Sequence, residues 1–106
     1  MLSAEEQQSL LDVEGEEVLE IEFRKCTAGD VFMAKNKLGD AFLFELTVPI
    51  SRRANVYKVK KGGNLSICDS FCGNFHFLYS VIRFESVIFG GENTLRLVEL
   101  KKVRSA

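Results

Sequence analysis

Short segments in which apolar and polar residues alternate recur along most of this chain, and turn-forming residues separate them. The segment 19–24, Leu-Glu-Ile-Glu-Phe-Arg, is the clearest example. A period of two places alternate side chains on opposite faces of a β-strand. Candidate turns at 27–30, 36–40, 62–63 and 90–93 have the composition and spacing of hairpin connections. The pattern therefore predicts a mainly β protein with about seven short strands.

These strands are expected to form a small antiparallel β-barrel or sandwich within one domain, residues 16–106. The chain has 106 residues, of which 46% are hydrophobic, and this is enough for one core. Consecutive hairpins favour a meander. Residues 75–89 are β-rich but too long for one typical strand, so we expect a bend or bulge near Arg83.

Residues 1–15 are predicted to form a short acidic helix or arm. Ser3 and Glu6 have the spacing of a capping box, which predicts a helix over 3–14 that ends before Gly15. Few apolar residues share one face of this helix, so we expect it to dock weakly on the body.

Charge is distributed very unevenly along the chain. The net charge is only -1, but the first 22 residues carry eight acids and no Lys or Arg. The remainder holds 7 of the 15 acids against all 14 bases, a net charge of +7. An acidic head on a basic body suggests a polyanionic partner, or contacts between head and body within one chain or between copies.

The sequence also bounds the cellular setting. It contains no apolar run of the roughly 20 residues that a membrane helix requires, and its acidic start does not resemble a signal peptide. The three cysteines are an odd number in a chain that is not cysteine-dense, which favours reduced thiols. We therefore expect a cytoplasmic protein with no membrane partner.

A basic stretch is the leading candidate for a binding site. It consists of Arg52, Arg53, Tyr57, Lys58, Lys60 and Lys61. Several cations on one surface can hold phosphates, and an exposed aromatic ring can stack on bases. We expect the arginines to bind phosphates and Tyr57 to stack, with Tyr57 and Phe71 as the best surface aromatics. The plainer interpretation is an edge hairpin kept soluble by its lysines.

Metal binding and catalysis find less support. Cys68, Cys72 and His76 are spaced by four, and with Cys26 they could form a zinc set, but zinc knuckles usually use a two-residue gap. His76 is the only histidine and lies between two phenylalanines in a predicted strand. Neither Gly-Gly pair opens a helix, as a phosphate loop would require. We expect no metal, no cofactor and no enzyme activity.

Two short patches resemble the PilZ type of cyclic-dinucleotide receptor. Arg52 and Arg53 would correspond to its Arg-rich segment, and Ser70 and Gly73 to its acid-x-Ser-x-x-Gly motif. However, Cys68 stands where the family has an acid, and the residues before Arg52 do not fit. The resemblance implies cyclic-dinucleotide binding only as a minor alternative.

The leading prediction is thus a non-catalytic binding module that contacts nucleic acid or another polyanion through the basic stretch. The alternative is a protein-interaction or assembly component that uses strand edges and the acidic head. It would act as a homo-oligomer or as a small inhibitor of a larger protein.

Overall fold

The computed structural model describes residues 1–59, 71–90 and 93–106. Within these ranges the chain forms one α-helix, α1 (Ala4–Leu11), and ten strands. The strands are β1 (Glu16–Glu17), β2 (Glu20–Glu22), β3 (Val31–Lys35), β4 (Ala41–Val48), β5 (Arg53–Val59), β6 (Phe71–His76), β7 (Val81–Arg83), β8 (Val87–Gly90), β9 (Asn93–Arg96) and β10 (Glu99–Arg104). Short 3-10 turns lie at Phe23–Lys25 and Pro49–Ser51.

Six of these strands form one antiparallel sheet in the order β1-β10-β3-β4-β5-β6, and the pairs β2–β7 and β8–β9 form two small ladders. The prediction of a mainly β fold is confirmed. Strands β3 to β6 follow one another as the expected meander, whereas β10 returns to lie between β1 and β3. Among the described strands the sheet is not closed into a barrel, because β1 and β6 do not pair.

One face of the sheet is covered by the two small ladders. Alternate residues of the central strands, such as Phe44 and Val56, point toward Ile21 of β2, Ile82 of β7 and Leu95 of β9. All five side chains are buried. This apolar layer fixes the β2–β7 ladder against the sheet, and so determines where the ends of that ladder lie.

The opposite face is covered by α1. Leu2 and Leu10 are buried against Met33, Leu43 and neighbouring residues of the sheet. The capping box is formed as predicted, although the helix ends at Leu11 and is shorter than expected. The acidic head therefore packs on the body of its own chain, and two layers of elements sandwich the central sheet.

Two further expectations concern local geometry. The predicted bend near Arg83 is present, because β7 ends there and the exposed Glu85 adopts a φ of 69° before β8 begins. A second break, at 78–80, separates β6 from β7, so the segment forms three strands. Within the described residues, no helix has the length and apolar character that crossing a membrane would require.

Candidate interaction surface

Tyr57 is not available for stacking on a ligand, and this expectation is wrong. Its side chain is 0% exposed and lies in the layer between α1 and the sheet. The hydroxyl donates to Glu45 Oε1 (2.9 Å) and accepts from the backbone N–H of Leu2 (2.9 Å). Burial, with the neighbouring carboxylate of Glu45, raises the pKa of Tyr57 to about 12. Tyr57 thus ties the start of the chain to the sheet.

The basic stretch does not form one surface in the described residues. Arg53 and Lys58 are separated by an odd number of positions along β5, so they project from opposite faces of the sheet. Lys58 is half-exposed and lies 4.0 Å from Asp40 at the far end of the strand from Arg53. Lys60 and Lys61 lie outside the described residues, as do Cys68 and Ser70. Of the predicted cations on β5, Arg53 and Lys58 are therefore not brought onto one surface.

Arg52 is instead part of a different surface, where three connections meet. It follows the 3-10 turn Pro49–Ser51 with a φ of 56°. Its Nη1 donates to the carbonyl oxygen of Leu78 (2.9 Å), and its Nη2 lies 3.3 Å from His76 Nε2. Its own carbonyl accepts from the N–H of Phe77 (2.8 Å). Arg52 thereby links the β4–β5 turn to the segment that joins β6 and β7.

The turn Phe23–Lys25 completes this surface from a third part of the chain. The backbone N–H of Phe23 donates to the carbonyl of Ser80 (3.1 Å), and its ring stacks on that of Phe77 with centroids 5.6 Å apart. Arg24 and Lys25 flank Glu22 at 2.6 Å and 3.2 Å. These two cations lower the pKa of the Glu22 carboxyl.

Large apolar side chains are exposed on the same connections. Ile50 is 88% exposed, Leu78 77% and Tyr79 71%. Two grooves, of about 470 and 490 Å³, meet at His76, one lined by Arg24, Ile50 and Arg52 and the other by Leu78 and Tyr79. We call this surface the basic end, and it consists of Arg24, Ile50, Arg52, His76, Leu78 and Tyr79.

Of the residues considered for metal or nucleophilic chemistry, Cys26, Cys72 and His76 are described and do not form a cluster. Cys72 and His76 are four positions apart on β6, which separates them by about 13 Å. Cys26 lies elsewhere, with its thiol 3.3 Å from the carbonyl oxygen of Glu22. Burial, followed by the charge of Asp30, raises the pKa of this thiol and disfavours the reactive thiolate. In the described ranges, no group of three or more His, Cys, Asp or Glu side chains could hold a metal ion.

Sequence reasoning missed Ile50, Leu78 and Tyr79. Ile50 follows a proline next to Arg52, and this was a usable signal for an exposed apolar residue in a turn. Leu78 and Tyr79 lie in a segment that was expected to be continuous strand, so nothing separated them from core residues.

Comparison with models of known protein families gave no match, and neither did comparison with curated protein sequences or with solved structures.

Proposed function

We propose that this chain is a non-catalytic protein-interaction module whose basic end docks an acidic, apolar segment of a partner protein. The observation that carries the proposal is that the exposed Ile50 shares a groove with Arg24 and Arg52, while the exposed Leu78 and Tyr79 line the adjoining groove. Contiguous exposed apolar side chains rimmed by polar groups are typical of protein-interaction sites. Tyrosine and arginine are also the residues most enriched at the energetic centres of interfaces.

The composition of the basic end favours a protein over a nucleic acid. Of its three exposed apolar side chains, Ile50 and Leu78 are aliphatic, and Tyr79 alone offers a ring for base stacking. The cations are already engaged: Arg24 and Lys25 flank Glu22, and Arg52 donates to Leu78. A guanidinium has more N–H donors than these contacts use and can bind a carboxylate or a phosphate, so the preference for a protein partner rests on the exposed aliphatic side chains.

The geometry of the basic end also favours ready docking. Arg52 is fixed by contacts to two connections, and Phe23 stacks on Phe77 beneath the surface. Ile50, Leu78 and Tyr79 are therefore presented by connections that are tied to one another. A surface that is ordered before binding loses less conformational entropy when the partner arrives.

Selection of peptides from a displayed random library on the immobilised protein tests this proposal. We expect the enriched peptides to combine Asp or Glu with aliphatic or aromatic residues. Their affinity should fall about tenfold or more with Tyr79→Ala or Arg52→Ala. Leu38→Ala is the matched control, because Leu38 is 86% exposed but lines neither groove of the basic end.

A labelled mixed-sequence single-stranded DNA provides the competing arm of the experiment. We expect no binding of this strand at moderate salt. Binding that falls steeply with salt and is lost with Arg52→Ala, without enrichment of acidic peptides, would overturn the proposal in favour of a polyanion module. Enriched peptides whose binding is unaffected by Tyr79→Ala would also overturn it.

A further inference from the structure

A second exposed apolar surface lies at the other end of the β2–β7 ladder. Leu19 directly precedes β2 and Phe84 directly follows β7, and the N–H of Phe84 donates to the carbonyl of Leu19 (2.7 Å). Leu19 is 81% exposed, Phe84 43% and Val98 37%. They line a groove of about 430 Å³ whose charged residues, Glu17 and Glu99, are both acids. We call Glu17, Leu19, Phe84, Val98 and Glu99 the acidic end.

The cations near this groove are already engaged with carboxylates. Arg83 lies 3.2 Å from Glu20 at the end of the ladder. Lys35 and Lys101 lie 3.7 Å and 3.8 Å from Glu99. Glu17 lines the groove from the outer strand β1, where it is exposed. Glu99 is thus shared by two lysines, and Glu17, which forms no ion pair with the described residues, is the carboxylate that the rim offers beside the apolar centre.

The acidic end and the basic end are complementary in chemistry. The basic end has apolar side chains next to Arg24 and Arg52, and the acidic end has apolar side chains next to Glu17 and Glu99. Matching apolar centres with opposite charges at the rims is the arrangement found across protein interfaces.

The two ends cannot meet within one chain. Arg24 follows β2 and Tyr79 precedes β7 at one end of the antiparallel ladder, whereas Leu19 and Phe84 lie at its other end. The three paired positions between them span about 10 Å, and the buried Ile21 and Ile82 hold this ladder against the sheet. Two copies, however, can bring one basic end against one acidic end.

We propose that the partner segment docked at the basic end is the acidic end of a second copy, so that this chain associates head to tail. This inference rests on the proposed function and names its partner. Because the contact joins two different surfaces, a bound pair of copies retains one unused end of each kind. Such a heterologous contact extends into chains unless its rotation closes a ring. Each end is small, so association is weak and depends on concentration.

Sedimentation velocity over a range of concentrations at low salt tests the proposal. We expect the mean mass of the wild type to rise steadily above that of the monomer. Leu19→Lys places a cation in the acidic end, and Tyr79→Glu places an acid in the basic end. Each substitution changes an exposed side chain and should weaken association about tenfold or more. Leu38→Lys and Leu38→Glu are the matched controls and should associate as the wild type does.

Mixing the two variants provides the decisive result. The Leu19→Lys chain keeps an intact basic end, and the Tyr79→Glu chain keeps an intact acidic end. An equimolar mixture should therefore form one-to-one dimers that do not grow further, although neither variant associates alone. Association of the wild type without formation of this mixed dimer would overturn the head-to-tail contact.

The outcomes also separate this inference from the proposed function. A wild type that stays monomeric at all concentrations, but still binds selected acidic peptides through Tyr79, overturns the second copy as partner and leaves the proposed function standing. A monomer that binds neither peptide nor a second copy overturns both.

Discussion

At the scale of single residues, Gly15 shows how a backbone requirement can decide the position of a strand. Its φ is +66°, and a Cβ at this position would lie 2.7 Å from the carbonyl oxygen of Lys102. Both the backbone conformation and the close approach exclude a side chain. Gly15 thus allows β1 to lie beside β10.

Gly15→Ala should lower the free energy of unfolding by about 2–4 kcal/mol, because it adds a steric clash to an unfavourable backbone conformation. Urea denaturation followed by circular dichroism measures the loss. Gly39→Ala is the control: Gly39 has a φ of +84° but no atom within 4 Å of its added Cβ, so it should lose only about 1 kcal/mol. Equal losses of unfolding free energy in the two variants would show that the clash with the Lys102 carbonyl oxygen does not add to the destabilisation by Gly15→Ala.

Tyr57 should determine how stability changes at alkaline pH. Its folded pKa of about 12 lies above its ordinary value of 10.0, so the folded state holds the phenolic proton more tightly than the unfolded state. This contribution to stability is complete below about pH 10 and is lost as the pH rises through 12. Tyr57→Phe should lower stability at neutral pH by about 1–2 kcal/mol and reduce the loss above pH 10.

Denaturant titrations of both proteins between neutral pH and pH 12 check this prediction. An unchanged alkaline loss in Tyr57→Phe would assign that loss to other groups. Tyr79→Phe is the matched control, because it removes the hydroxyl of an exposed tyrosine instead of a buried one.

At the scale of elements, α1 depends on a few apolar contacts. Leu10 is buried against the sheet, while Ser9 beside it is exposed. Leu10→Ala should lower the free energy of unfolding by about 2–4 kcal/mol, because it leaves a cavity between helix and sheet. Ser9→Ala should change it by less than about 0.5 kcal/mol. In Leu10→Ala, amide hydrogen exchange should show that residues 4–11 lose protection before the rest of the chain does. A uniform loss of protection across the chain would contradict local undocking of the helix.

Strands were predictable where hairpin turns delimit them. The predicted turn at 36–40 lies between β3 (Val31–Lys35) and β4 (Ala41–Val48), so it marks the end of the first strand and the start of the second. The side chain of Tyr57 was not predictable in the same way. Elements cover both faces of β5, so its residues from Ala54 to Tyr57 are all buried and the charge pattern of the strand does not mark an exposed face.

The basic end was beyond prediction for a different reason. It is assembled from the three connections 23–25, 49–52 and 76–80, which are far apart in the sequence. Charge along the chain identified Arg52, but the residues that surround it are determined by how β2–β7 packs on the sheet. Only tertiary packing brings Arg24, Ile50 and Tyr79 to one place.

At the scale of the whole molecule, the positions of the two ends predict the shape and salt dependence of the assembly. One copy has a Cα radius of gyration of 12.6 Å. Head-to-tail contact should raise the radius measured by small-angle scattering faster than a compact dimer would, because copies add along one direction. Raising the salt should return it toward the value of one copy, since the rims of both ends are charged. A radius that grows with concentration but does not respond to salt would contradict a role for these charges.

The return of β10 to a place between β1 and β3 has a consequence for the order of events during synthesis. Strands β3, β4 and β5 can pair as soon as each leaves the ribosome, because they are neighbours in both sequence and space. Strand β1 is made before them but has no partner strand until residues 99–104 emerge. Strand β1 therefore stays outside the sheet while β3, β4 and β5 pair, and β10 is the strand that later brings it in.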